Sequence, residues 1–167
     1  MRVTEDGKHQ VLDILRRRFV NLTPEEWVRQ HFIHFLITEK GYPPGLLANE
    51  VELKVADKKL RCDSVLFNQE RQPKVVIEYK AESVALTPKV IKQATTYNMV
   101  LNVDYIMISN GLMHLCLHYE RDDDKWVFMK EKTVKVGAFS QALVQSPSLA
   151  PSLSSLIFAH ARTCNHM

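Results

Sequence analysis

No apolar run in this 167-residue chain approaches the roughly 18 residues that a membrane-spanning helix requires. The opening residues, MRVTEDGKHQ, are polar and lack the apolar core of a signal peptide. A cytoplasmic protein without membrane contact is therefore expected. Cysteine is scarce as well: Cys62, Cys116 and Cys164 are odd in number, far apart and form no CxxC pair. That pattern speaks against a disulfide framework and a structural zinc site, and predicts reduced thiols. Nor does one sign of charge dominate. Lys and Arg number 22 against 19 Asp and Glu, giving a net +3 and a pI near 8.7. That balance admits a polyanionic partner without calling for one. No internal repeat recurs, and no serine or cysteine has the His–acid company of a catalytic nucleophile.

What is present reads as a globular domain, with 46% hydrophobic and 25% charged residues. Residues 9–20, HQVLDILRRRFV, place Val11, Leu12, Leu15 and Phe19 at helical spacing and predict a first helix or helical turn. A stronger helix follows, with Thr23 as N-cap, Pro24 in the first turn and Glu26 completing a Thr-x-x-Glu capping box. Its apolar face is predicted from Trp27, Val28, His31, Phe32, Phe35 and Leu36, and Gly41 with Pro43–Pro44 ends it. From Glu50 the period shortens to two: EVELKVA, KLRCDSVLF and KVVIEYKAE read as three strands, the last two joined by the polar NQERQP. Thr87 and Pro88 open a second helix, PKVIKQATTYNMVLN. DYIMISNG, LMHLCLHYE and WVFMK follow as strands, with Asn-Gly and RDDDK as turns. A strand–helix–strand unit between Val75 and Ser109 implies a parallel pair, and the flanking hairpins make the sheet mixed. The predicted class is α/β (α+β), a mixed central sheet flanked by helices. The domain is drawn over residues 1–140, with 141–167 a Ser/Pro-rich tail or short docked helix.

One strand face carries charge where core is expected. A hairpin register in which paired residue numbers sum to 141 sets Asp63 opposite Glu78, with Lys80 on the same face. Two adjacent carboxylates repel unless a cation lies between them, and a hard divalent cation such as Mg²⁺ takes such oxygen ligands. A neighbouring lysine can orient or help deprotonate water and offset a developing negative charge. Those are the parts for hydrolysing a phosphodiester. Gln93 and Tyr97, spaced i, i+4 on the following helix, could bind a nucleic-acid backbone or steady the lysine. Arg61, on the face of Asp63, is a candidate phosphate contact. The bland alternative is a solvated strand face with a weak cross-strand ion pair, and on charge and spacing alone it is the commoner case.

RCDSVLF, VVIEYKAES, KQATTYN and DYIMISNG, in that order, resemble the N-terminal nuclease domain of type I restriction enzyme R (motor) subunits, within the PD-(D/E)xK nuclease superfamily. The similarity begins near LTPEEWVRQHFI and runs to about Glu120. The E-x-K element is weak alone; the aspartate one strand earlier and the later Q-x-x-x-Y make the set more specific. The resemblance implies a restriction-endonuclease-like core and DNA cleavage dependent on Mg²⁺, with Mn²⁺ as a substitute. Asp63 and Glu78 then correspond to the metal ligands, Lys80 to the catalytic lysine, and Gln93 and Tyr97 to the Q-x-x-x-Y pair. Cys62 stands where the superfamily's name has proline. The ATP-driven motor of the large enzymes has no counterpart here, because no G-x-x-x-x-G-K-[ST] loop is present. The domain then acts alone, serves a separate motor or specificity protein, or is a catalytically silent nuclease-fold module for DNA binding or assembly. Oligomeric state and sequence preference are not readable.

Glu50, at a loop–strand boundary, is a further candidate metal ligand, whereas the capping box accounts for Glu26. His31 with His34, His114 with His118, Glu82 and RDDDK are read as surface positions of their helices, strands and turns; the arginines at 16–18 could touch phosphate, though a helical surface is their commoner meaning.

Overall fold

The computed structural model describes residues 1–55, 58–96 and 101–129. The tail at 141–167 and the candidate Tyr97 therefore lie outside the described residues. Six strands form the central sheet in chain order: β4 (Leu47–Val55), β5 (Lys58–Phe67), β6 (Pro73–Tyr79), β7 (Tyr105–Ser109), β8 (His114–Glu120) and β9 (Lys125–Phe128). Only β6 and β7 run parallel, joined by a connection that contains helix α2 (Pro88–Thr96); the other neighbours are antiparallel. This is the mixed α+β sheet that the hydrophobic pattern predicts.

The two helices serve opposite faces. Odd-numbered β6 residues Val75, Ile77 and Tyr79 join Val28, Phe32, Ile33 and Leu36 of α1 (Pro24–Thr38) in one core cluster. Even-numbered Val76 joins Ile106, Ile108 and Ala94 of α2 in the second. Phe32, Ile33 and Leu36 are almost fully buried, and each such side chain contributes about 1.5–3 kcal/mol of apolar burial. Helix α1 begins as the sequence predicts, with Pro24 in its first turn and Thr23 Oγ1 accepting the Glu26 N–H. Its buried face is rotated from the predicted one. Arg29, Gln30 and Ile33 point inward, while Trp27 and His31 lie exposed and stack on each other at 3.9 Å. The turn that follows β7 presses on this helix. Gly111 has φ +87°, and a Cβ there would meet Val28 Cγ2 at 3.3 Å, so glycine answers both demands.

The predicted helix over residues 9–20 is instead a β-hairpin. Strands β1 (Arg2–Val3), β2 (His9–Asp13) and β3 (Arg18–Asn21) form a separate antiparallel sheet. The cause is Asp13, whose Oδ1 accepts the N–H groups of both Leu15 and Arg16 and so closes a turn. Arg17 completes it at φ +53°. The helical spacing of Val11, Leu12, Leu15 and Phe19 is thus distributed over two strands and a turn. The run at 16–18 is correspondingly not a helical surface.

Strands β4 and β5 change faces partway along. Leu47 and Leu66 belong to the α1 cluster, yet Val51 and Cys62, an even number of residues away on their strands, pack with the α2 cluster. The exchange falls between the pairs Asn49↔Ser64 and Val51↔Cys62, at Glu50 and Asp63. Glu50 accommodates it with φ +56°, a conformation that costs a non-glycine residue about 1–2 kcal/mol. The break aims both carboxylates toward the N-terminal turn of α1.

Candidate active site

The β5–β6 ladder pairs Leu66↔Val75, Val65↔Val76 and Ser64↔Ile77, each summing to 141 as predicted. One step further, Asp63 Oδ2 accepts the backbone N–H of Tyr79 at 2.8 Å. Lys80 Nζ donates to Glu78 Oε1, also at 2.8 Å. Asp63, Glu78 and Lys80 therefore gather at the C-terminal end of β6. The acidic first turn of α1 is close enough that Glu25 acts electrostatically on both Glu78 and Lys80.

Glu78 is the unusual member. It is 4% exposed, and its Oε2 is buried without a hydrogen-bond partner among the described residues. Burial, and next the charge of Asp63, push its pKa up to about 7 despite the Lys80 ammonium. Lys80 is held protonated: burial opposes its charge, but the hydrogen bond and charge of Glu78, with Glu25 and Asp63 nearby, leave its pKa raised. Its ammonium is thus a donor and a positive charge rather than a free base.

Behind these residues stands a buried network of alternating charge. Arg29 Nη2 donates to Asp63 Oδ1 at 2.8 Å and Nη1 to Glu26 Oε2 at 2.8 Å; Nη1 also faces Glu50 Oε1 at 3.4 Å. Arg16 pairs with Asp13, with Glu26 at 3.0 Å and with Glu50 at 2.5 Å. Asn49 links Asp13 to Ser64 across the sheets, at 2.9 Å and 2.6 Å. Hydrogen bonds from the Arg16 N–H, Asn49 and the Arg16 guanidinium outweigh burial and lower the Asp13 pKa. At Glu50, burial is likewise outweighed by Arg16 and Arg61, and its pKa is lowered. A cleft of about 530 Å³ opens over this network, lined among others by Arg16, Arg18, Phe19, Glu25, Arg29 and Arg61.

The sequence candidates thus fall into separate places. Asp63, Glu78 and Lys80 come together. Glu50 is paired with arginines: Arg16, Arg18, Arg29 and Arg61 surround its carboxylate in an arginine clasp. Arg61 is turned onto Glu50, though its side chain stays 56% exposed. Gln93 lies exposed on α2. Glu26 uses only its backbone N–H in the helix cap; its carboxylate binds Arg16, Arg29 and Gln30 instead of closing the predicted box. His31, His114 and His118 engage Trp27, Ser109 and Tyr105 respectively. Glu25 and Arg29 were not legible as neighbours of the Asp63, Glu78 and Lys80 group, because charge in the first turns of a helix ordinarily means solvent.

The residues fit a divalent cation. Asp63 and Glu78 are close enough to act on each other electrostatically, and Glu78 Oε2 is a buried oxygen without a hydrogen-bond donor among the described residues. Among the described residues no three His, Cys, Asp or Glu side chains form a metal-binding group. Remaining positions would fall to water or substrate oxygens, as Mg²⁺ prefers.

The family described as type I restriction enzyme R protein N terminus (HSDR_N) matches residues 24–132, and the chain belongs to this family. No curated protein matches it. A fragment of a protein assigned as an HsdR subunit of a type I restriction enzyme from Vibrio vulnificus YJ016 is similar at 16% identity and a TM-score of 0.46, over 65% of this chain. This chain spans 23% of the length of that one. No described helix is long and apolar enough to cross a membrane.

Proposed function

We propose that this domain hydrolyses phosphodiester bonds in DNA with the help of Mg²⁺ or Mn²⁺, in a restriction-enzyme setting. The observation that carries the proposal is the buried, partnerless Oε2 of Glu78 beside Asp63 and Lys80. Membership of the R-subunit family supports DNA and the other restriction–modification subunits as partners. When bound, the cation supplies Lewis-acid polarisation of a phosphoryl oxygen and acidifies water.

The protein groups divide the remaining work. Asp63 and Glu78 supply hard oxygen donors on a rigid strand end. With Oε1 of Glu78 taken by Lys80, Oε2 is the oxygen left to face the cation. Lys80, protonated and anchored on Oε1, presents its other N–H bonds to the charge that grows on the phosphoryl oxygens. Buried β6 and the covering helix hold the three groups against thermal displacement.

The test is cleavage of plasmid and linear DNA by the purified chain in Mg²⁺ or Mn²⁺, alongside calorimetric metal binding. Loss of both cleavage and metal binding in Asp63→Asn and Glu78→Gln, and of cleavage alone in Lys80→Ala, is expected. Cleavage that persists in all three variants assigns the activity elsewhere. Metal and DNA binding without turnover would favour the silent-module alternative.

A further inference from the structure

Arg29 is the one side chain that touches Asp63 from outside the β5–β6 hairpin among the described hydrogen bonds. Its own side chain is only 6% exposed. The guanidinium is fixed from several directions: Nη1 on Glu26, with Glu50 at 3.4 Å, and the cation 5.8 Å above the Tyr79 ring. Asp63 is consequently held at both oxygens, Oδ1 by the Arg29 fork and Oδ2 by the Tyr79 N–H. A carboxylate gripped at both ends cannot rotate about its terminal bond. It also cannot swing away from Glu78, as repulsion between the two carboxylates would otherwise favour.

From this geometry we infer that Arg29 is a positioning residue for Asp63, pre-orienting its carboxylate beside Glu78 so that the pair receives a divalent cation with little rearrangement. The inference rests on the metal site proposed above. It goes further by assigning to α1 a residue that tunes cation affinity without touching the cation. A planar fork is essential to it, because one guanidinium nitrogen must serve Glu26 while the other serves Asp63. Lysine keeps the charge but offers a single nitrogen, which cannot span both acids in that geometry. Groups that orient a metal ligand in this way typically govern affinity by roughly 10–100-fold.

The experiment measures Mn²⁺ affinity by calorimetry for the unaltered full chain, Arg29→Lys, Arg29→Gln and Arg16→Lys, with the folded fraction fixed by circular dichroism. Arg16 shares Glu26 and Glu50 with Arg29 but does not contact Asp63, so its variant reports on the network alone. Arg29→Lys and Arg29→Gln, when folded, are expected to bind Mn²⁺ about 10-fold or more weakly, with Arg16→Lys near the unaltered value. Cleavage by Arg29→Lys should recover at high Mn²⁺, with KM for DNA unchanged. Equal affinity in the Arg29 variants overturns the inference and leaves the metal site standing. Equal weakening by Arg16→Lys also overturns it, by making the whole network responsible. Failure of both Arg29 variants to fold assigns the residue to stability alone and overturns it too. If the unaltered chain binds no Mn²⁺, the proposed function fails first and this inference with it.

Discussion

Asp63 accepts the backbone N–H of Tyr79 at 2.8 Å, one step past the Ser64↔Ile77 pair of the β5–β6 ladder. A side chain thus continues what the backbone began, and the same carboxylate also receives Arg29. Removing it should therefore have a structural as well as a functional effect. Asp63→Ala leaves the buried Arg29 partly unpaired and should cost about 3–5 kcal/mol in urea unfolding. Asp63→Asn keeps an acceptor for one of the two donors and should cost under about 2 kcal/mol. Both should lose divalent-metal binding. Equal stability of the alanine and asparagine variants would refute the structural half of this account.

Glu78 predicts a pH dependence with a definite sign. Its carboxyl ionises near 4.5 in the unfolded chain but only near 7 in the fold. Between those values the folded state holds a proton that the unfolded state has lost. Stability should accordingly fall as pH rises from about 4.5 to 7, by about 3 kcal/mol from this group. In chelator-treated buffer, Glu78→Gln should remove that decline, seen as urea midpoints compared at pH 5 and pH 8. Asp13 and Glu50 act in the opposite sense. Their pKa values are lowered in the fold, so their contribution is present above the ordinary carboxylate range and is lost on acidification.

For Glu50, the arginine clasp and the metal-ligand reading make different predictions. Glu50→Gln removes the charge that Arg16 and Arg61 share and should destabilise the fold by about 1–3 kcal/mol. Mn²⁺ affinity should stay within a few-fold of the unaltered protein. A loss of affinity as large as that of Glu78→Gln would return Glu50 to the ligand set.

Ile77 tests the layer beneath the site. It is fully buried in the α1 cluster, on the face of β6 opposite Glu78. Ile77→Ala should cost about 2–5 kcal/mol in denaturant unfolding. In the fraction that remains folded, metal affinity should be preserved.

The sequence made the sheet largely legible, because VVI and YIMI are short apolar runs of the kind that form strands buried on both faces, as these two are. The 141 register followed from the polar loop between two strands, and the ladder obeys it from Ser64 to Leu66. The hairpin at residues 9–21 was hidden for a local reason. Asp13 closes its turn with two N–H bonds that no periodicity records, while four apolar residues happened to fall at helical spacing. Arg29 was hidden for a non-local one. Its partners come from α1, β4 and β5, so only the assembled fold distinguishes it from an ordinary exposed helix arginine. The face change at Glu50 and Asp63 was equally unreadable, since a single left-handed residue reverses the pattern without altering composition.

The parallel pairing of β6 with β7 has a consequence for how this fold can vary. Everywhere else in the sheet successive strands reverse, so their ends alternate between its two edges. Here two adjacent strands finish together, Tyr79 beside Ser109, with the Lys80 N–H reaching the Ser109 carbonyl at 2.8 Å. The segments that leave them, 81–87 and 110–113, therefore emerge side by side at the rim of the carboxylate pair. Val84, Leu112 and Met113 are exposed there and take no part in the ladder pairs below. Side chains at this rim can thus vary while the strand ends beneath them keep their pairing.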